Sequence, residues 1–384
     1  MRHVPPALAL LAASALALAG CASTTSASDG PAAAADGTIT IGAVLPLTGS
    51  SATIGADQQR GIELAVADIN ANGGIDGKEI AVDIEDSQGT AAGGLDAARK
   101  LVSVQGVPAV IGEYSSGVTI PVGSYLQEQG VVHLNVGSSS PEIAEIGDFS
   151  FSDIGLDTLA SSFTAQQLID GGFTTATIVV PNNSYGEGVE STLSEAFTAL
   201  GGTVADTVLY TEGQTDYRAE LQRAADSDPD VFVYSAYGQD SALINQQAYE
   251  LGLAATPWYG IYLTMCVGDS DPAVVEGQIG MDVNYTGPDG DAYVAAYEDA
   301  YGEGLASSYS AYAYDAVHLI ADAIENGDSA EASDIRDALA GLTEPFSGIT
   351  GPISFDADNQ RVEQPYATMS IVDGSPIVTN GAGS

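Results

Sequence analysis

Apolar runs of strand length alternate with segments of helical periodicity along most of the chain, and this alternation limits the folds that it can adopt. The first apolar run covers residues 39–47, and residues 55–72 then place their apolar side chains on one helical face before two glycines end the pattern. The same order recurs through residue 136 and again in a second series over residues 156–263. Such alternation is typical of parallel sheets covered by helices. Two series predict an α/β fold of two doubly wound, parallel-sheet lobes.

The first 21 residues have the pattern of an export signal. A short charged opening precedes the apolar stretch 7–19, which is too short to cross a bilayer as a helix. It ends in Leu18-Ala19-Gly20-Cys21, which resembles the bacterial lipobox. We therefore expect a lipoprotein signal peptide at 1–20, lipid on Cys21 and an extracytoplasmic protein anchored to the cell membrane. The alternative is an ordinary signal peptide followed by an unrelated cysteine.

Residues 21–37 contain no apolar side chain larger than alanine after Cys21, so they predict a flexible tether that builds no core. Over the whole sequence the charge balance is extreme, with 52 acidic and 9 basic residues. A surface of this kind repels nucleic acid, which excludes that class of partner. We favour solubility as the reason for the acidity over recognition of a cationic partner.

The chain shows none of the sequence motifs of common enzyme classes. It has no G-x-S-x-G, no G-x-G-x-x-G and no P-loop, and its glycine-rich segment 73–79 follows a helix, as a turn would. His133 and His318 are far apart and lack metal-ligand spacing, so both are expected to be structural. Cys266 lies among apolar neighbours and is expected to be buried. The sequence therefore predicts no catalytic residue, no metal and no cofactor.

Several segments are similar to the type I periplasmic binding proteins of ABC importers, most closely to the leucine/isoleucine/valine-binding branch. The matching segments lie in the family order and are Ile41-Gly42-Ala43-Val44-Leu45-Pro46-Leu47-Thr48-Gly49 with Gly61 to Asn70, Asn72-Gly73-Gly74-Ile75-Asp76-Gly77, Asp86, Ile111-Gly112, and Ser184-Tyr185-Gly186-Glu187-Gly188. The resemblance covers nearly the whole mature chain. It implies a first lobe of residues 38–155 plus 284–350 and a second lobe of 156–283 plus 351–380, joined by a hinge that the chain crosses more than once.

This resemblance implies that the protein captures a small polar solute, an amino acid or a related compound, and delivers it to a membrane permease. Its partners would be the solute, the ABC permease and, through the lipid, the membrane. The alternative is a receptor module for amides, urea or small carboxylic acids in uptake or signalling.

Two hydroxyl-rich loops of the first lobe follow strands and open helices, where free backbone N–H groups suit a carboxylate. By resemblance, the ligand carboxylate is held from these loops and two tyrosines close over it from the second lobe. The matching positions are Ser116 in one loop, Gly137, Ser138 and Ser139 in the other, and Tyr185 and Tyr237 in the second lobe. Tyr114 and Gly117, in the same loop as Ser116, are further candidates. Otherwise the serines would only cap helices and the tyrosines would be surface aromatics.

The sequence departs from the amino-acid-binding relatives at two positions. Tyr262 stands near the glutamate that takes the ligand ammonium, and Ile54 replaces the tyrosine that covers the ligand side chain. A phenol supplies no charge for a desolvated ammonium ion. Asp157 or Glu113 could replace that glutamate. We therefore expect weak binding of unsubstituted leucine, isoleucine and valine unless one of these carboxylates takes over.

Overall fold

Two helix-covered sheets carry the fold in the computed structural model, which describes residues 37–285, 288–327 and 329–381. The predicted signal peptide, Cys21 and all of the tether except Gly37 lie outside the described residues. No helix in the described ranges combines the length and apolarity needed to cross a membrane.

The strands and helices are numbered here in chain order. The strands are β1 Thr38–Leu45, β2 Glu79–Asp86, β3 Ala109–Gly112, β4 Val132–Asn135, β5 Ser150–Ser152, β6 Thr175–Pro181, β7 Thr203–Tyr210, β8 Val231–Tyr234, β9 Trp258–Ile261, β10 Ile279–Val283, β11 Phe346–Gly348, β12 Gly351–Ile353, β13 Tyr366–Val372 and β14 Ser375–Gly381. The helices are α1 Ala52–Ala71, α2 Ala91–Lys100, α3 Ser116–Gln129, α4 Asp157–Asp170, α5 Ser184–Ala199, α6 Arg218–Asp226, α7 Gly238–Glu250, α8 Leu263–Val267, α9 Pro272–Val275, α10 Pro288–Tyr301, α11 Tyr309–Gly327 and α12 Ala332–Ala340.

The first lobe contains a five-stranded sheet in the order β2-β1-β3-β4-β5, in which every pair is parallel. The second contains a seven-stranded sheet in the order β14-β13-β10-β9-β8-β6-β7, with β13 and β14 antiparallel. Strands β3, β4 and β8 are buried along their whole length. Burial on both faces explains why β3 and β8 contain no charged or amide side chain, whereas β4 carries a buried histidine and a buried asparagine. The predicted α/β fold with two parallel-sheet lobes is confirmed.

Strand order reverses between β1 and β3 in the first sheet and between β6 and β8 in the second. Ligands of open α/β sheets bind at such reversals, outside the carboxyl ends of the strands. The loops after β3, β6 and β8 therefore face the region where a ligand is expected.

Helix α11 forms the centre of the first lobe although it comes late in the chain, with 13 of its 19 residues buried. It packs closely on α1, because a Cβ on Gly61 would lie 2.0 Å from the carbonyl oxygen of Ser310. Only glycine permits this approach of the two backbones.

The chain passes between the lobes at three places within the described ranges, after β5, after β10 and before β13. The buried Arg361 ties the first and third passages, because its Nη1 donates to the carbonyl oxygen of Asp153 at 2.6 Å and to Thr350 Oγ1 at 2.9 Å. The third passage differs from the boundary expected at residue 350. Residues 351–361 stay with the first lobe, since β12 pairs with β11 and Gln360 bridges to Ser152.

Candidate ligand-binding site

A small cavity lies between the two lobes at the sheet reversals described above. Its volume is about 10 Å³, roughly the room that one water molecule needs. The lobes are therefore closed on each other at this point. The lining residues are Tyr114, Ser115, Ser116, Gly137, Tyr185, Tyr237, Met265 and Tyr309.

The first-lobe wall is built where α3 begins. Ser115 is the N-cap and Ser116 the first residue of this 14-residue helix. The free N–H groups of the helix end and the hydroxyls of these two serines are therefore near the cavity. Gly137 from the loop after β4 lies against Tyr114, and a Cβ there would come within 2.9 Å of the Tyr114 Cα. A side chain at residue 137 would thus push the two loops apart.

Glu113 holds this wall in place and does not face a ligand. Its carboxylate accepts hydrogen bonds from Ser87 Oγ and from the Ser115 backbone N–H, both at 2.6 Å. Burial raises the pKa of Glu113 to about 7, and these two donors partly offset the rise. The structure therefore gives Glu113 a structural role, because both of its oxygens already accept a hydrogen bond from this part of the first lobe.

Two tyrosines from the second lobe close the cavity. The Tyr185 hydroxyl pairs with Ser235 Oγ at 2.6 Å, and the Tyr237 hydroxyl donates to Glu212 Oε1 at 2.8 Å. Burial raises the pKa of both phenols well above the ordinary value, so both remain protonated at neutral pH. The Tyr237 ring meets Tyr114 edge to face at a centroid distance of 5.3 Å, which brings the two lobes into aromatic contact.

The sequence interpretation missed Met265 and Tyr309, which complete the lining. The hydroxyls of Tyr114 and Tyr309 both donate to Met265 Sδ, at 2.9 and 3.4 Å. Tyr309 opens α11 in the run Ser307-Ser308-Tyr309-Ser310, whose composition resembles Tyr114-Ser115-Ser116 and could have drawn attention to it. Met265 lies in an apolar stretch and gave no such signal.

Five predicted site residues do line the cavity, namely Tyr114, Ser116, Gly137, Tyr185 and Tyr237. The other five lie away from its wall, namely Gly117, Ser138, Ser139, Asp157 and Tyr262.

The reasons differ for each of these five. Gly117 is exposed on α3, and Ser138 braces the loop by bonding the Tyr114 carbonyl oxygen at 3.0 Å and Thr119 Oγ1 at 2.5 Å. Ser139 directs its carbonyl oxygen at the Asp157 backbone N–H, 2.7 Å away. Tyr262 is fully buried beside Tyr309, with ring centroids 6.0 Å apart, and thus lies behind the lining.

Asp157 is a buried carboxylic acid at the junction of the lobes, with 1% of its surface exposed. Neither of its oxygens has a well-formed hydrogen bond among the described residues. Burial raises its pKa well above the usual value, and only the Ser139 hydroxyl opposes the rise. Gly188 of α5 is so close that a Cβ there would lie 2.5 Å from Asp157 Oδ2. Burial therefore disfavours the charged form of Asp157 unless a cation is buried beside it.

The residues that sequence reasoning tested for catalysis or metal binding have structural surroundings. His133 bonds Ser150 Oγ and the Gly112 carbonyl oxygen, at 2.8 and 2.6 Å, and burial lowers its pKa to about 4. Cys266 is buried, and burial raises the pKa of its thiol to about 12, so it is a poor nucleophile. Among the described residues, no group of three His, Cys, Asp or Glu side chains could hold a metal ion.

Comparison with known proteins points to one family. The model of the periplasmic binding protein family matches residues 38–376. The Leu/Ile/Val-binding protein homolog 1 of Brucella melitensis is 29% identical over 326 residues, which cover 83% of this chain and 86% of that protein.

Solved structures show the same fold. The leucine-binding protein LivK of Thermotoga maritima superposes with a TM-score of 0.81 at 22% identity, over 89% of this chain and 98% of that one. LivJ of Streptococcus pneumoniae, solved with isoleucine, gives 0.78 at 26% identity over 88% and 97%. A solute-binding protein of Rhodopseudomonas palustris, solved with 3,4-dihydroxybenzoic acid, gives 0.80 at 18% identity over 91% and 99%.

The two-lobed fold, the cavity at the sheet reversals and the matches over most of the chain lead to one assignment. This chain belongs to the periplasmic binding protein family and is a solute-binding protein rather than an enzyme.

Proposed function

We propose that this protein is an extracytoplasmic, lipid-anchored solute receptor that closes its lobes on a small carboxylate-bearing solute and delivers it to an ABC permease. The observation that carries the proposal is the interlobe cavity, where the start of α3 meets protonated phenols from both lobes. A carboxylate placed there would meet donors on several sides, and closure would remove it from water.

The carboxylate grip is assigned to Ser115, Ser116 and Gly137. The amino-terminal end of a 14-residue helix carries unpaired N–H groups and a partial positive charge, which favour an anion. A hydrogen bond to a charged group contributes about 1.5 to 3 kcal/mol, roughly ten- to a hundredfold in affinity. Ser138 and Ser139 would act indirectly, by holding the loop on which Gly137 lies.

Two solute classes share this carboxylate end. The relatives include proteins named for leucine, isoleucine and valine, and the fold neighbours include one solved with an aromatic acid. An amino acid also brings an ammonium ion, which needs a carboxylate when it is buried. Asp157 is our candidate for that carboxylate because both its oxygens are without a well-formed hydrogen bond. An acid without the amino group needs no such partner.

A binding screen tests the site. Thermal shift followed by calorimetry with branched-chain amino acids, benzoates, amides and urea should identify the solute, because a ligand specific for the folded state raises its melting temperature. Ser116→Ala combined with Tyr237→Ala should then weaken binding at least tenfold. The matched control is Ser124→Ala with Tyr249→Ala, two exposed positions on α3 and α7. Affinity of the first double variant within threefold of the control would remove these residues from the site.

Membrane attachment and delivery need separate tests. Cys21→Ala should release the protein from the membrane or leave it unprocessed, and partition with membranes like the parent would contradict lipid anchoring. If the protein delivers its solute to a permease, cells should take up the labelled solute only when both this protein and the permease are present. Solute binding without any dependent uptake would favour the signalling receptor instead.

A further inference from the structure

The part of the cavity wall formed by Tyr114, Tyr309 and Met265 carries no charge. Met265 comes from α8, and the two tyrosines come from the first lobe. The Tyr114 and Tyr309 rings meet edge to face at 5.0 Å with an interplanar angle of 90°. A solute in the cavity therefore touches phenol rings and a thioether on this side.

Two hydroxyl donors converge on one weak acceptor in this wall. Tyr114 and Tyr309 donate to Met265 Sδ at 2.9 and 3.4 Å, and a thioether sulfur accepts hydrogen bonds poorly. Burial keeps both phenols protonated by raising their pKa well above the ordinary value. A solute oxygen between these hydroxyls would offer a stronger acceptor than the sulfur.

Three carboxylates in this part of the fold, Asp282, Glu212 and Glu113, already accept hydrogen bonds. Asp282 accepts from the Thr264 backbone N–H at 2.9 Å and from Thr264 Oγ1 at 2.6 Å. Glu212 is bonded to the Tyr237 hydroxyl, and Glu113 to Ser87 and Ser115. An ammonium ion against Met265 would lose its water, and Asp282, Glu212 and Glu113 would offer it only carboxylates that already accept hydrogen bonds, which disfavours it.

We propose that Met265, with Tyr114 and Tyr309, determines specificity by selecting carboxylic acids whose remaining part is uncharged, flat and oxygen-bearing over α-amino acids. This inference rests on the proposed function and narrows it. The carboxylate lies at the α3 end, and a ring hydroxyl or carbonyl oxygen takes the two phenol hydrogen bonds.

Calorimetry with three probes tests the wall. The parent protein should bind 4-hydroxybenzoate at least tenfold more tightly than leucine. Met265→Glu should reverse that order, because its carboxylate attracts the ammonium ion and repels the acid. Leucine binding by the parent that equals or exceeds 4-hydroxybenzoate binding would overturn the inference and leave the proposed function intact.

A second variant keeps the test valid if Met265→Glu does not fold. Tyr309→Phe should weaken 4-hydroxybenzoate at least fivefold and leave benzoate, which lacks the hydroxyl, within twofold. Tyr249→Phe, at a 53% exposed position, is the matched control. If Tyr309→Phe weakened the binding of benzoate and of 4-hydroxybenzoate equally, the proposed hydrogen bond from Tyr309 to the ring oxygen would be overturned. If the parent binds neither leucine, 4-hydroxybenzoate nor any other carboxylate, the proposed function itself fails.

Discussion

Gly238 offers a direct test of lobe closure. It opens α7 with φ of 57°, and a Cβ there would lie 2.1 Å from the Ser50 carbonyl oxygen of the opposite lobe. In Gly238→Ala the lobes must separate by roughly 1 Å before that contact becomes ordinary. Separation also weakens the neighbouring interlobe hydrogen bonds, Gln239 N–H to Ser50 at 3.4 Å and Thr53 Oγ1 to Asp269 Oδ1 at 2.9 Å.

The expected loss follows from these contacts. If closure becomes less favourable by about 1 to 3 kcal/mol, ligand affinity falls by about 5- to 150-fold. The left-handed backbone of alanine costs stability as well, roughly 1 to 2 kcal/mol, in open and closed forms alike. Binding measured by calorimetry, together with small-angle scattering of the ligand-bound protein, separates the two effects.

Gly252 provides the matched control because it ends the same helix with φ of 75° and has no atom within 4 Å of an added Cβ. Gly252→Ala should lose similar stability and keep the parent affinity. Thr53→Val removes one interlobe hydrogen bond that involves no cavity-lining residue and should weaken affinity by about threefold or more. Affinity of Gly238→Ala within threefold of Gly252→Ala would refute the closure argument.

Three further outcomes are expected. Burial raises the pKa of Asp157, so the stability contributed by its protonated side chain is present below the unfolded pKa near 3.8 and is lost as pH rises through the folded pKa. Asp157→Asn should therefore have a higher melting temperature than the parent at pH 7.5 and a similar one at pH 3.5. If Asp157 anchors an ammonium ion, the same change should weaken leucine binding by at least tenfold in calorimetry and leave benzoate unaffected. Arg361→Met leaves several buried hinge carbonyls unpaired and should lower the unfolding free energy by about 3 to 5 kcal/mol in urea, whereas the exposed Arg218→Met should change it little.

The predicted part of the site comes from loops that follow strands within one βα unit. Tyr114 and Ser116 follow β3, and Tyr237 follows β8, so the rule for parallel sheets was enough to bring them together. Tyr309 escaped prediction because α11 returns to the first lobe only after the chain has built most of the second. Its distance from Tyr114 depends on the hinge passages, which no local periodicity encodes.

Local backbone geometry explains the misplaced residues. Tyr262 follows β9 with φ of 57°, and this turn directs it behind Tyr309 and brings Met265 forward on α8. Ser138 is fixed by Asn135, whose side-chain oxygen accepts its backbone N–H at 2.9 Å. A hydroxyl-rich loop predicts donors near a ligand, but it does not say which serines brace the loop and which face the ligand.

The position of α11 in the chain has a consequence for how the protein is made. The face of α1 that packs on α11 stays uncovered until residues 309–327 have been synthesised, because nothing earlier in sequence fills that place. The first lobe can therefore finish its core only after nearly the whole polypeptide has emerged, and contacts of such long separation form slowly. A chain of this design leaves its amino-terminal lobe incompletely packed until late in synthesis, which suits passage across a membrane in an extended form.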